Sequence, residues 1–205
     1  MKRILILLLS LLCAGSAFAQ TPAEILAKMD QEVSRLEADG VSMVFEFKIP
    51  IAGAISTRVW TKGEKARMEF KDDSEEMVTW MDETTQWTYD SRKGEVTIEK
   101  RKPSSEPEGD LGMFQGLSEG YDLSLTQETD KAWYIHCKKS RTNKSKDDPK
   151  TMDLVIAKGT YYPVSLSAKL SGVTLTLRDM VFSVSDKMVT FDPADYPGVK
   201  IVDKR

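Results

Sequence analysis

The sequence predicts a mainly β protein: a large, curved antiparallel sheet accompanied by two helices. Three observations predict it. Short segments that alternate apolar and polar residues recur along most of the chain. Short polar turns carrying glycine or proline join them. Apolar residues at helical spacing occur in only two places, near the N-terminus and at midchain.

The first nineteen residues are read separately. Lys2 and Arg3 form a basic start, residues 4–12 are an apolar run too short to cross a bilayer, and Ala17-Phe18-Ala19 is a small-x-small cleavage site. Residues 1–19 are therefore expected to be a cleaved signal peptide, and residues 20–205 one exported domain. Cys13 leaves with the signal, because Leu12 stands where a lipoprotein signal needs a small residue.

Thr21 is placed as a helix cap, with Pro22 at the first helical position and Glu24 closing a capping box. Ile25, Leu26, Met29, Val33 and Leu36 share one face, and Asp39-Gly40 ends the helix. Val41, Met43, Phe45, Phe47 and Ile49 alternate as a first strand. Pro50 to Gly53 turn the chain. Further strands follow around Ile55–Trp60, Ala66–Phe70, Met77–Met81, Trp87–Tyr89 and Val96–Ile98. Leu111, Met113, Phe114 and Leu117 form a short apolar stripe, weakened by Gly109, Gly112 and Gly116, and read as a docked connector or lid helix. Strands resume at Tyr121–Leu125, Trp133–Cys137 and Met152–Ile156, on either side of a charged loop at 141–150 that is expected to be flexible. A hairpin about Ser171-Gly172 and a closing edge strand near Val199–Val202 complete the sheet. So many strands curl a sheet. Two helices are too few to cover one apolar face tightly, so a cleft between sheet and helices is expected.

The net charge of −3 becomes more acidic once Lys2 and Arg3 are removed. That balance gives no footprint for nucleic acid and no basic patch for an anionic membrane. Cys137 is the only cysteine beyond the signal, so no internal disulfide forms. No later segment is long and apolar enough to be a transmembrane helix.

Catalytic chemistry finds little to work with. His136 is the only histidine and falls out of phase with Trp133, Ile135 and Cys137, so it and Cys137 point to opposite faces. No zinc ligand set, phosphate loop or nucleophile motif is present. Acidic clusters at 72–76 and 147–148 read as solvated charge. No cofactor is implied. The methionines stand out instead. Met43, Met68 and Met152 fall on apolar strand faces, and Met29 and Met113 on the helices opposite; methionine repacks around varied apolar guests. The aromatics Phe45, Phe47, Phe70, Trp80 and Trp87 are candidates to line the same space. The expected apolar lining is Met29, Met43, Phe45, Phe47, Met68, Phe70, Leu111, Met113, Phe114 and Met152.

Several stretches carry a family resemblance. One is the strand end Trp60-Thr61-Lys62. Another is Asp82-Glu83-Thr84-Thr85-Gln86-Trp87-Thr88-Tyr89, and the most specific is the ending at 191–205, with its Phe191, Pro193, Pro197 and closing strand. Together they resemble the LolA-like periplasmic carriers of outer-membrane lipoproteins. The resemblance implies an incomplete β-barrel of about ten or eleven strands, closed over an apolar cavity by helices. It implies a monomer with no enzyme activity. Its partners would be acylated lipoproteins or other lipid, an inner-membrane lipoprotein-releasing transporter and an outer-membrane acceptor. A sixteen-carbon chain is held in a membrane by roughly 12 kcal/mol, so crossing water requires a replacement apolar surface and no covalent chemistry. Gly63 stands where members of that family carry a lid-closing arginine. Related barrels serve as envelope sensors or interaction domains read by a protein partner, which is the second reading. An unrecognised hydrolase is the third.

Overall fold

The computed structural model describes residues 20–205, apart from 52, 102–113, 115, 147 and 171 and the side chain of Glu37. The proposed signal peptide lies outside the described residues, as do Leu111 and Met113.

Helix α1 (Pro22–Leu36) starts at the capping box its sequence encodes. The Thr21 amide donates to Glu24 Oε2 (2.8 Å), and the Glu24 amide donates to Thr21 Oγ1 (3.3 Å). Its buried face is Ile25, Leu26, Met29, Val33 and Leu36, as the periodicity predicts. A 3-10 turn (Glu37–Asp39) then leads into Gly40 at φ +76. A Cβ at Gly40 would drive into the Thr61 carbonyl, so only glycine lets β1 begin here.

Among the described residues twelve strands follow: β1 (Val41–Ile49), β2 (Gly53–Lys62), β3 (Lys65–Lys71), β4 (Glu76–Met81), β5 (Thr85–Asp90), β6 (Glu95–Lys100), β7 (Tyr121–Glu128), β8 (Ala132–Lys139), β9 (Thr151–Ala157), β10 (Pro163–Leu170), β11 (Val173–Phe182) and β12 (Lys200–Asp203). They form one sheet in the order β12-β6-β5-β4-β3-β2-β1-β11-β10-β9-β8-β7. Two meanders, β1–β6 and β7–β11, are joined where β1 pairs with β11. The sheet is long, curved and open, not closed into a barrel, and among the described strands β7 and β12 are its edges.

The twelve strands among the described residues agree with the expected count of about ten or eleven. One feature departs from expectation: the sheet is not wholly antiparallel, because β12 runs parallel to β6. After β11 the chain crosses the sheet through 3-10 turns at Asp186–Val189 and Pro193–Asp195 before reaching the far edge. A crossover, unlike a hairpin, delivers a strand in either direction. The midchain lid helix at 111–117 falls largely outside the described residues. Within it Phe114 is fully buried and 116–120 is a turn.

The sheet has two dry regions on opposite faces. The inner face carries α1. There Ile25, Leu26, Met29 and Val33 pack with Phe114, Val41, Met43, Ile135, Cys137, Met152, Leu154, Ile156, Leu166 and Leu177 into the main core. The outer face holds an aromatic core. Cross-strand pairing sets Trp60, Arg67, Trp80 and Trp87 in one row over β2–β5. Phe191 lies 5.3 Å from Trp80 and 5.9 Å from Trp87, while Tyr196 lies 4.8 Å from Tyr89. Arg67 sits 5.0 Å over Trp60 and 5.4 Å over Trp80. The expected apolar face therefore does not extend beyond β4. On β5 and β6 the inner-face residues are Gln86, Thr88, Thr97 and Glu99, and the apolar ones point outward under the C-terminal segment. Trp80 and Trp87 consequently do not share a space with Phe45, Phe47 and Phe70.

Candidate apolar binding face

The inner face grades from dry to open. Pairing register defines three rows of side chains across it. The first runs Met68, Val59, Met43. The second runs Met77, Phe70, Thr57, Phe45, Leu177, Leu166. The third runs Ile55, Phe47, Leu175, Ala168, Met152, Cys137. Paired residues share a face, so each row is a continuous track. The second and third rows begin in solvent, at Met77, Ile55 and Phe47, and end in the main core. From β4 to β10 the track spans about 24 Å at ordinary strand spacing.

The eight described residues of the expected lining divide along this gradient. Met29, Met43, Phe114 and Met152 are fully or almost fully buried in the main core. Phe45, Met68 and Phe70 are half-buried, and Phe47 is exposed. All six strand residues lie on the inner face, and Met29 and Phe114 pack against it from the helix and the midchain segment. Ile55, Met77, Leu170 and Leu175 belong with them but were not in the expected lining. Ile55, Met77 and Leu170 lie within three residues of a strand end, where alternation is short, whereas Leu175 alternates with Thr174 and Thr176 and its face was legible.

α1 carries one polar group toward this core's margin. Burial raises the Asp30 carboxyl above its ordinary pKa, against a lowering hydrogen bond from the Gly116 amide, and the Glu119 charge adds to the rise. Asp30 Oδ1 is buried and has no hydrogen-bond partner among the described residues.

The outer face holds a row the sequence did not disclose: Ser124, His136 and Asp153 pair across β7, β8 and β9. His136 Nδ1 and Asp153 Oδ1 are 2.7 Å apart. The Ser124 hydroxyl donates to the His136 backbone carbonyl (3.4 Å) instead of to the ring. No nucleophile is thereby activated, and the Asp153 side chain is largely exposed on the open sheet. Cys137, on the opposite face, is fully buried, and burial pushes its thiol up to about 11. His136 and Cys137 point apart, as the alternation predicts. Among the described residues, no group of three His, Cys, Asp or Glu side chains is placed to hold a metal ion.

At the other end of the sheet a polar cleft of about 490 Å³ is lined by Lys62, Glu64, Lys65, Asp82, Glu83, Thr84 and Asp186. Lys62, the strand-end lysine, pairs with Asp186 at 3.0 Å, and Gly63 follows it at φ +54 in a turn. Four carboxylates face two lysines in that lining, so the cleft is polar and net acidic.

The fold and its inner face define a class: an open, curved β-sheet protein with a helix laid on one apolar face. No family model matches the sequence, and no curated protein matches it. Several solved structures are similar. A LolA superfamily protein from Nitrosomonas europaea is 15% identical, over 85% of this chain and 99% of that one, with a TM-score of 0.35. LprF from Mycobacterium bovis is 8% identical, over 84% and 99%, with a TM-score of 0.47. An uncharacterized conserved protein from Thermus thermophilus is 17% identical, over 90% and 100%, with a TM-score of 0.46.

Proposed function

We propose that this chain is an exported carrier that holds acyl chains of lipoproteins, or of other lipids, against its inner face. One observation carries the reading: apolar tracks that start in solvent at Ile55, Phe47 and Met77 and continue without a polar break wider than Thr57 into the core. Such a track replaces water around an acyl chain at about 0.8 kcal/mol per buried methylene. Half-buried Phe45, Met68 and Phe70 are the contact residues nearest the opening, with Met43 and Met152 behind them. The buried residues Met29 and Phe114 form the floor on which such a chain stops. The LolA-like ending and the signal-like N-terminus support the same reading, with an inner-membrane donor and an outer-membrane acceptor as its partners. No described helix is long and apolar enough to cross a membrane.

The reading is tested by purifying the protein from cells and extracting it for lipid. Mass spectrometry of the extract is expected to show acyl species, and the stripped protein is expected to take up a fluorescent fatty acid. An extract without acyl ligand, no uptake, and no solubilisation of a lipoprotein would together refute it. A second reading, an interaction domain signalling to a protein partner, is favoured by one feature. β7, eight residues long, pairs on one side only among the described strands, the geometry that strand addition uses. A stoichiometric protein partner retained by an acyl-free protein would favour it.

A further inference from the structure

The exposed apolar residues of the sheet concentrate at its β1–β2 end. Ile51 at the hairpin tip is fully exposed at 109% relative accessibility, and Ile49, Ile55 and Phe47 beside it are exposed too. No charged residue stands between Lys48 and Arg58. Ile51 also sits at φ +74, a region that β-branched residues rarely adopt and that asparagine or glycine enters freely. A polar residue would be both more soluble and less strained there.

The outer face at the same end is built differently. Register places Lys48 opposite Thr174, Thr174 opposite Lys169, Lys169 opposite Thr151, and Thr151 opposite Lys138. Three lysines thus stand in one cross-strand row, about 10 Å apart. All three are exposed, and none forms an ion pair with a described residue. The acidic side chains near them are mostly engaged. Glu46 pairs with Arg178 at 3.3 Å and Asp153 with His136 at 2.7 Å, while Asp72 accepts the Ser74 and Glu75 amides in the β3–β4 turn. Asp122, opposite Lys138, ends the row at the β7 edge, and exposed Asp73 lies in the β3–β4 turn. The acidic total charge hides this row, because pairing across four strands assembles it from residues far apart in sequence.

We propose that the β1–β2 hairpin tip docks on the surface of an anionic lipid bilayer. Ile51, with Ile49 and Ile55, enters the boundary between headgroups and acyl chains. Lys48, Lys169 and Lys138 lie against lipid phosphates. An apolar edge beside a cationic row is the pattern of an interfacial membrane element, and local lysines hold anionic lipid whatever the net charge of the whole. The mouth of the inner-face tracks, at Ile55 and Phe47, then faces the bilayer. The proposal holds whether or not the inner face carries an acyl chain.

Flotation of the exported chain with vesicles tests it, using phosphatidylethanolamine and phosphatidylglycerol at 3:1 against phosphatidylcholine alone. Binding is expected to the anionic vesicles and to weaken with added salt. Ile51→Asp is expected to lower that binding about tenfold. Lys48→Gln and Lys169→Gln are each expected to lower it roughly fivefold. In Ile51→Trp, the introduced indole is expected to shift to the blue on the vesicles and to be quenched by brominated lipid. An unquenched indole, or equal binding by wild type and Ile51→Asp, overturns the wedge. Equal binding to neutral vesicles overturns the role of the lysines. Fatty-acid uptake by Ile51→Asp, measured without vesicles, separates this result from the carrier reading, since Ile51 lies outside the tracks.

Discussion

Ile51 holds φ +74 with its side chain in water, so it gains nothing from the fold and bears the strain of a left-handed conformation. Ile51→Asn is therefore expected to raise stability by about 1 kcal/mol, or roughly 3 °C in melting temperature, read by circular dichroism. Cys137 is the opposite case, a reactive group made inert by its setting. Its raised pKa leaves almost no thiolate at neutral pH, and the buried side chain admits no reagent. A thiol reagent such as dithionitrobenzoate is expected to label Cys137 only after denaturant is added. A native protein that labels within minutes would place the thiol at an accessible wall. The alternation of Trp133 to Cys137 was enough to read this residue correctly. The neighbouring Ser124–His136–Asp153 row was not legible, because register between strands is set by turns and packing and not by any spacing along the chain.

At the scale of elements, α1 was legible because capping box and helical stripe agree, and most strands because period two was unbroken. What stayed hidden was which face each strand keeps dry. β4 buries both faces, Thr79 and Met81 inward and Val78 and Trp80 outward, so no alternation marks it. β5 and β6 alternate, but their phase alone does not say that a C-terminal segment covers the outside. In the charged loop at 141–150, Asn143 Nδ2 and Ser145 Oγ donate to the Asp148 carboxylate at 2.7 and 2.9 Å, contacts that no spacing along the chain discloses. The contact of α1 with the turn at 116–120 yields a pH prediction through Asp30. Its folded pKa is raised, chiefly by burial, so the folded state holds this proton more tightly than the unfolded chain. That contribution is complete below the ordinary aspartate range near pH 4 and is lost as pH rises through the folded value. Asp30→Asn is expected to stabilise the protein at pH 7 and to flatten the fall in stability with rising pH just above that range. Urea unfolding at several pH values measures it; a variant less stable at pH 7 would show that the Gly116 hydrogen bond outweighs the burial.

For the whole molecule, the use of both faces of one sheet separates stability from binding. The outer aromatic core closes the β3–β6 half under Phe191 and Tyr196, while the inner tracks stay open at one end. The chain ending at 191–205 is thus an architectural clasp, with β12 as its final edge strand. Two substitutions of similar size should then act in opposite ways. Phe191→Ala removes ring contacts with Trp80, Trp87 and Tyr196, at a cost of about 2–3 kcal/mol for a half-buried aromatic. It is expected to lower the melting temperature by roughly 5–10 °C and to shift tryptophan emission to the red, as water reaches Trp80 and Trp87. Its affinity for a fluorescent fatty acid, measured well below that melting temperature, should stay within about twofold of wild type, because the sheet itself separates the two faces. Phe47→Asp changes a side chain that is only partly covered, so stability should fall by about 1 kcal/mol, less than for Phe191→Ala. Yet it places a charge at the mouth of a track that an acyl chain must enter, and affinity is expected to fall about tenfold or more. If Phe191→Ala weakened binding as strongly as Phe47→Asp did, the ligand would lie under the C-terminal segment and the inner face would lose its assignment.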